Sequence, residues 1–385
     1  MAEPISVLII DDSALMRNLI SRIVEAAPGL RVADRAMNGR FGLEKIPRCR
    51  PDVIVLDLEM PEMDGIEFLK ERRRLGIDVP VVILSSVARE GAGITMKALS
   101  LGAADFITKP SGPSSDDIRL VGKDLASMLL GYGGEYRRRK GGERPEVSEE
   151  ELERSFKAPQ AARTEAPARP APFPIAPPAK AYEKPVPVRK HGPVEIIAIG
   201  ISTGGPNALR EVFSALDPGL PQPIVVVQHM PAGFTEEFAR SLDRICPLEV
   251  KEAAEGDLLK PGRILIAPGN RHLEVERRSL SGVARISDAP HVNSHRPSAD
   301  VLFSSVAKHY GNRALGVIMT GMGSDGAREL GSIYREGGRT LGQDEASSIV
   351  YGMPRVAWEM GHVERQVGLS GMAQAICEAA RQNAD

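Results

Sequence analysis

The sequence predicts an α/β protein with two parallel, helix-covered sheets joined by a proline-rich linker. Three observations carry this. Short apolar runs alternate with amphipathic helical stretches over residues 5–125 and again from Val194 onward, the pattern of parallel strands covered on both faces. Eleven of the thirty prolines fall between Pro145 and Pro193, a composition that favours extended or disordered chain. Finally, chemically capable residues stand at the ends of the apolar runs, the edge where such sheets bind ligands.

A chain of 385 residues is expected to form two domains. Its net charge of −2 argues against a chain dominated by nucleic-acid binding. Cys49, Cys246 and Cys377 are far apart and form no Cys-x-x-Cys pair. That argues against a disulfide framework or zinc site and fits a reducing cytoplasm. The N-terminus enters a strand directly, with no basic leader, cleavage site or long apolar run. Neither a signal peptide nor membrane insertion is expected, and the expected location is cytoplasmic.

In chain order, Ile5–Ile10 reads as a buried strand ending in Asp11 and Asp12. Ser13 is placed to cap a helix whose apolar face carries Leu15, Leu19, Ile20, Ile23 and Val24, and Pro28-Gly29 stops it. Val53–Leu56 is a second strand, ending in Asp57. Val79–Leu84 is a third, ending in Ser85 and Ser86, and Asp105–Thr108 a fourth, followed by Lys109-Pro110. Clustered strand ends bring Asp11, Asp12 and Asp57 together, with Ser85 and Lys109 nearby. Three adjacent carboxylates repel one another unless a cation joins them, and oxygen ligands suit Mg²⁺. Solvated helix-cap acids would account for any one of these residues, but poorly for the set.

On these residues, and on Met60-Pro-Glu-Met-Asp-Gly65, the segment from 5 to about 125 resembles a response-regulator receiver domain. The resemblance implies a flavodoxin-like fold over residues 4–128, with Asp57 as phospho-acceptor. It implies Mg²⁺ held by Asp11, Asp12, Asp57 and the backbone carbonyl of Glu59. Ser85 becomes the switch hydroxyl and Lys109 the phosphoryl counter-charge. Residues 129–190, with the basic run Arg137–Lys140, the acidic run Glu149–Glu153 and the prolines, are expected to be a disordered linker.

A second domain is expected over 191–383. Val194–Ile199 reads as a buried strand running into Gly200, Ser202 and Gly204, and Pro206 suits a first helical turn. A serine between glycines at i−2 and i+2 on a strand–turn–helix is the form of a nucleophile elbow. The helix behind it aims free N–H groups at an anion. A glycine-rich phosphate-binding turn is the alternative, although neither Gly-Lys-Ser/Thr nor Gly-x-Gly-x-x-Gly is present there.

Pro223–Gln228 is a strand ending in His229, and Thr235 is placed to cap the next helix. Gly262–Ala267 is a strand, and a hairpin is expected within Glu274–Ile286 around Ser281-Gly282. His295-Arg-Pro-Ser-Ala-Asp300 is expected to cap a helix through Val301, Leu302 and Val306. Ala314–Thr320 is a strand that runs into Gly321-Met-Gly-Ser-Asp-Gly326.

Ser202, His229 and Asp325 therefore face one crevice. A serine hydroxyl needs an adjacent base, which His229 would supply, and Asp325 would fix the imidazole tautomer. His291 and His295 compete as the base, from a polar stretch with no strand before it.

Residues 194 to about 380 resemble the catalytic domain of the chemotaxis protein-glutamate methylesterases. The matching stretches are Gly200–Pro206, Gln228–Thr235, His295–Asp300, Thr320–Ala327, and Gln343-Asp-Glu with Tyr351-Gly-Met-Pro354. The resemblance implies a Ser202–His229–Asp325 triad, with the Thr203 and Met322 N–H groups as oxyanion donors. The implied substrates are glutamate γ-methyl esters and glutamines on cytoplasmic helices of chemoreceptors. A chemotaxis histidine kinase would phosphorylate Asp57, and the unphosphorylated receiver would cover the cleft. A binding-only or DNA-binding second half, or a general esterase, are the competing readings. The alternating strands argue against DNA binding.

Overall fold

The apolar run Ile5–Ile10 forms β1, buried at every position, which requires cover on both faces of the sheet. The computed structural model describes residues 2–86, 89–109, 115–156, 185–278 and 281–381. Beside β1 lie β2 (Leu30–Ala36), β3 (Val53–Asp57), β4 (Val81–Ser85) and β5 (Asp105–Thr108). The order is β2-β1-β3-β4-β5, all parallel. Helices α1 (Ala14–Ala26), α2 (Gly39–Cys49), α3 (Gly65–Arg74), α4 (Arg89–Ser100) and α5 (Ser115–Arg139) accompany the strands. Ser13 caps α1 through the Met16 N–H, as expected, and Asn38 and Asp64 cap α2 and α3. β2 has no counterpart in the sequence reading. It is an edge strand, Leu-Arg-Val-Ala-Asp-Arg-Ala, half-exposed along most of its length, so it lacks the apolar run that marks the others.

The structure corrects the start of the expected linker. Past residue 129, α5 continues to Arg139 with Leu130 and Tyr132 buried. The chain then turns back, and α6 (Glu149–Phe156) lies along α5. Leu152 is buried in the receiver core, and the Phe156 ring fills the space beside Gly122. Lys123 Nζ reaches Glu149 and Glu153 at 3.3 and 2.6 Å. Ser148 and Glu151 close a reciprocal cap at the helix start, the Glu151 N–H donating to Ser148 Oγ and the Ser148 N–H to Glu151. The remaining core of the expected linker, residues 157–184, lies outside the described residues.

The second domain centres on a seven-stranded parallel sheet. Its strands are β6 (Ile196–Ile201), β7 (Ile224–Gln228), β8 (Glu249–Glu252), β10 (Arg263–Ile266), β13 (Ala314–Ile318), β14 (Arg339–Gln343) and β15 (Arg365–Val367), ordered β15-β14-β13-β6-β7-β10-β8. The first strand, β6, lies between β13 and β7, so the order reverses at β6 and opens a crevice there. The expected hairpin is β11 (His272–Arg277) against β12 (Gly282–Ser287), extended by β9 (Leu258–Leu259). Helices α7 (Gly205–Ser214), α8 (Phe234–Asp243), α9 (Ala299–Tyr310), α10 (Ala327–Arg335), α11 (Met353–Glu359) and α12 (Leu369–Arg381) complete the domain.

Two expected caps are corrected. The N-cap of α8 is Gly233, not Thr235; the Thr235 hydroxyl bonds Glu252 and accepts the Gly269 N–H instead. Ser298 precedes α9 but makes no side-chain cap bond. Its hydroxyl is committed to Asp325.

One apolar cluster runs across the seam between the two domains. Phe106 of β5 stacks on Phe234 of α8, with centroids 5.0 Å apart.

Candidate active site and phosphorylation site

At the carboxyl edge of the first sheet, Asp11, Asp12 and Asp57 offer oxygens that all lie within 4.8 Å of one another. Asp57 Oδ2 pairs with Lys109 Nζ at 2.6 Å, and its Oδ1 accepts the Glu59 N–H at 3.3 Å. Asp11 is fully buried. One oxygen accepts the Ser13 N–H, while Oδ2 accepts no hydrogen bond and stands 3.5 Å from Lys109 Nζ. Burial, and then the neighbouring Asp57, push the Asp11 carboxyl up to about 6. Burial works against the Lys109 ammonium, but Asp57 and Asp11 together outweigh it and hold the pKa above its ordinary value. An orphaned buried carboxylate oxygen in a cluster of acids fits a hard divalent cation such as Mg²⁺. Ser85 is buried, its hydroxyl bonded to Thr95 Oγ1 of α4 at 2.7 Å.

In the second domain Ser202, His229 and Asp325 arise from three adjacent strands. Ser202 follows β6, its N–H bonded to Thr320 O. Gly204, at φ 84°, begins α7 without a side-chain cap. Gly321 must lack a side chain, because a Cβ there would stand 2.8 Å from Ser202 Cβ and 2.4 Å from Met353 Sδ. His229 follows β7, and its Nε2 bonds Asp325 Oδ2 at 2.8 Å. His229 Nδ1 is buried without a partner. It is therefore the nitrogen left for a proton from Ser202, a bond not formed in this structure.

Asp325 is almost fully buried and accepts four hydrogen bonds. Oδ1 takes Asn293 Nδ2 and Ser298 Oγ, both at 2.7 Å; Oδ2 takes His229 and the Ala299 N–H. Burial alone would raise its pKa, but these bonds, led by His229, hold the carboxyl well below the usual range. Thr203 and Met322 line the cleft beside Ser202, and their N–H groups meet no acceptor among the described residues.

The structure thus brings together the three residues expected in the crevice. It also separates the competing histidines. His295 lies flat on His229 with ring centroids 3.9 Å apart, while His291 is exposed. Asn293 and Ser298, both bonded to Asp325, are additions that the sequence reading lacks. The His-Arg-Pro-Ser segment that ends in Ser298 carried the only signal, and it read as a helix cap.

The cleft, about 800 Å³, is closed on one side by the receiver. Asp105, 2% exposed, accepts the Gly204 N–H at 2.8 Å across the seam. Asn207 Nδ2 donates to Ala104 O at 2.7 Å. Burial pushes the Asp105 carboxyl up to about 6, against bonds from Gly204, Phe106 and Tyr132. Glu149, Glu153 and Phe156 of α6 stand at the same cleft.

Residues 197–376 match the CheB methylesterase family, and residues 7–118 the response regulator receiver domain. The protein-glutamate methylesterase/protein-glutamine glutaminase of Treponema denticola is 61% identical over 97% of this chain and 98% of its own length. The Treponema pallidum protein of the same description is 55% identical over 97% and 96%. Among solved structures, the Thermotoga maritima CheB methylesterase catalytic domain is 35% identical, covers 48% of this chain and 98% of its own, and has a TM-score of 0.47. No helix among the described residues is long and apolar enough to cross a membrane. Similar to such relatives along nearly its whole length, the chain belongs to the family of protein-glutamate methylesterases/protein-glutamine glutaminases.

Proposed function

We propose that this chain is a phosphorylation-controlled serine hydrolase that removes γ-methyl groups from glutamates, and ammonia from glutamines, on cytoplasmic helices of chemoreceptors. The observation that carries the reading is the His229–Asp325 pair, with Nδ1 of the imidazole left unpartnered in the cleft that Ser202 lines.

His229 Nδ1 takes the Ser202 proton as Oγ attacks the ester carbonyl, and Asp325 steadies the imidazolium. The N–H groups of Thr203 and Met322 hold the developing oxyanion. The imidazolium returns its proton to the departing methoxide, and methanol leaves a glutamyl ester on Ser202. Water, deprotonated by His229, then releases the glutamate carboxylate. With glutamine, ammonia leaves in the first half.

Control runs through Asp57, phosphorylated by a chemotaxis histidine kinase. When bound by Asp11, Asp12, Asp57 and the Glu59 carbonyl, Mg²⁺ supplies neutralising charge for the phosphoryl group, beside Lys109. Ser85 then gives up its bond to Thr95 and turns to the phosphoryl oxygens. Thr95 lies on α4, which packs against α8, so the seam loosens and the cleft opens.

The test is methanol release from a methylated cytoplasmic receptor fragment, with and without acetyl phosphate. The wild-type chain should respond to the donor. Asp57→Asn should neither take up phosphate nor respond, and a fragment starting near Val188 should be fast without donor. A fragment no faster than the unphosphorylated full chain would end the case for inhibition by the receiver.

A further inference from the structure

The chain between Val292 and His295 makes a strained two-residue turn. Asn293 and Ser294 both adopt left-handed backbone, φ 52° and 66°, closed by reciprocal Val292–His295 bonds at 3.1 and 2.9 Å. Residues other than glycine adopt this conformation rarely, and it persists where the surroundings impose it. Here the turn delivers two groups to one place. Asn293 Nδ2 bonds Asp325 Oδ1 and Asp300 Oδ2, both at 2.7 Å. His295 lays its ring on that of His229, the planes 9° apart.

We propose that His295 is a positioning residue, a neutral plate that fixes the plane of His229 so that Nδ1 faces Ser202. This rests on the assignment of His229 as the base. An imidazole tied at one nitrogen, as His229 is to Asp325, can still swing about that bond. A flat surface against its face removes this freedom, while Asn293 holds the carboxylate from the far side. The charged and titratable groups around His295 are His229, Asp325 and His291. Burial, and then His229, pull its pKa down to about 4. When His229 accepts the serine proton, His295 therefore stays neutral and offers a π face to the cation.

The experiment uses the full chain with acetyl phosphate and Mg²⁺, the methylated receptor fragment as substrate, and two substitutions. His295→Phe keeps a plate without ring nitrogens; His295→Ala removes it. Expected for His295→Ala is a kcat lower by about tenfold or more, from lost orientation, with KM within about twofold. His295→Phe should restore most of kcat and leave the acid limb of the kcat–pH profile where it is in the wild type.

Labelling of Ser202 by a fluorophosphonate reads the same Ser–His pair without any receptor. It should fall in His295→Ala and recover in His295→Phe, so a wrong substrate and a wrong role for His295 are distinguishable. Wild-type kcat in His295→Ala would overturn the proposal. So would a natively melting His295→Phe as slow as the alanine variant, since a ring nitrogen would then take part in proton transfer. Should His295→Ala fail to fold, the phenylalanine variant alone decides.

Discussion

In the receiver, α1, α2 and α3 each start beneath a side chain, Ser13, Asn38 or Asp64, that accepts an N–H from the first turn. In the second domain, α7, α8 and α10 start at Gly204, Gly233 and Gly326, all left-handed at φ 84°, 85° and 82°, with no side-chain cap. A side-chain cap is worth about 1 kcal/mol to a helix. A glycine in its place costs only about a few tenths of a kcal/mol, and the second domain uses glycine on the three helices that follow Ser202, His229 and Asp325. A bare helix start leaves N–H groups and the field of the helix open to an anion from elsewhere. In this structure the Gly204 N–H is taken by a carboxylate of the other domain, Asp105. The comparison teaches that a glycine start keeps a helix N-terminus open for chemistry at little cost in stability.

The harshest test asks whether the bare start of α7 serves the serine beside it. Ser202→Ala should lower methanol release by roughly 10⁶ in turnover while the fold survives, because the pair acts as a unit. Retention of a tenth of the activity would exclude Ser202 as nucleophile and leave the open helix without a purpose.

Next comes the contact between the two kinds of helix start. Asp105→Ala leaves the Gly204 N–H buried without an acceptor in the docked state. That costs docking about 1–3 kcal/mol, so donor-free activity should rise about tenfold. The fragment starting near Val188 supplies the ceiling. No rise would mean that Asp105 merely fills space at the seam.

A smaller effect should follow pH. Burial holds Asp105 at about 6 in the docked molecule, against an ordinary 3.8. A carboxyl raised by docking favours the docked state at low pH. The contribution is complete below the ordinary value and is lost as pH rises through about 6. Between pH 7.5 and 5, inhibition should therefore tighten by up to about tenfold. The ratio of fragment activity to unphosphorylated full-chain activity reads this, since titration of the triad cancels. In Asp105→Asn the slope should shrink to what Asp124, also raised to about 6 at the same cleft, still carries; an unchanged slope would move the effect away from Asp105.

The smallest effect lies in the caps themselves. Ser13→Ala should cost about 1 kcal/mol, read as a denaturation midpoint, and leave donor-activated turnover unchanged. If it lowered turnover, the division between stabilising and chemical helix starts would fail.

The parallel strands β1, β3 to β7, β10 and β13 were legible because each is a short, largely apolar run, and Ser202, His229 and Asp325 because each follows such a run. β2, β8, β14 and β15 were not: β2, β8 and β15 are edge strands, which need no such run, and β14 reads Arg-Thr-Leu-Gly-Gln. α6 carried a readable signal, Ser148-x-x-Glu151, but it stood among prolines and charges whose composition points to disorder. The Asp105 contact was beyond reach for a different reason. Nothing local distinguishes a strand-start aspartate that faces water from one that meets another domain. Asn293 likewise gains its place only when two turns from distant parts of the chain converge on Asp325.

By folding back on the receiver, α6 also shortens the leash. The expected linker ran over 129–190, but among the described residues the receiver's last packed side chain is Phe156, and the second domain holds Val188, whose N–H bonds Arg335 O. Only residues 157–187 intervene. Even fully extended they span at most about 110 Å, so a released receiver would stay tethered within that distance of Val188. Reclosure is then first order and indifferent to dilution. Under the proposed control through Asp57, the time an opened molecule stays at work would be set by the lifetime of the acyl phosphate, not by the search for a partner, and would be the same whether the enzyme is scarce or abundant.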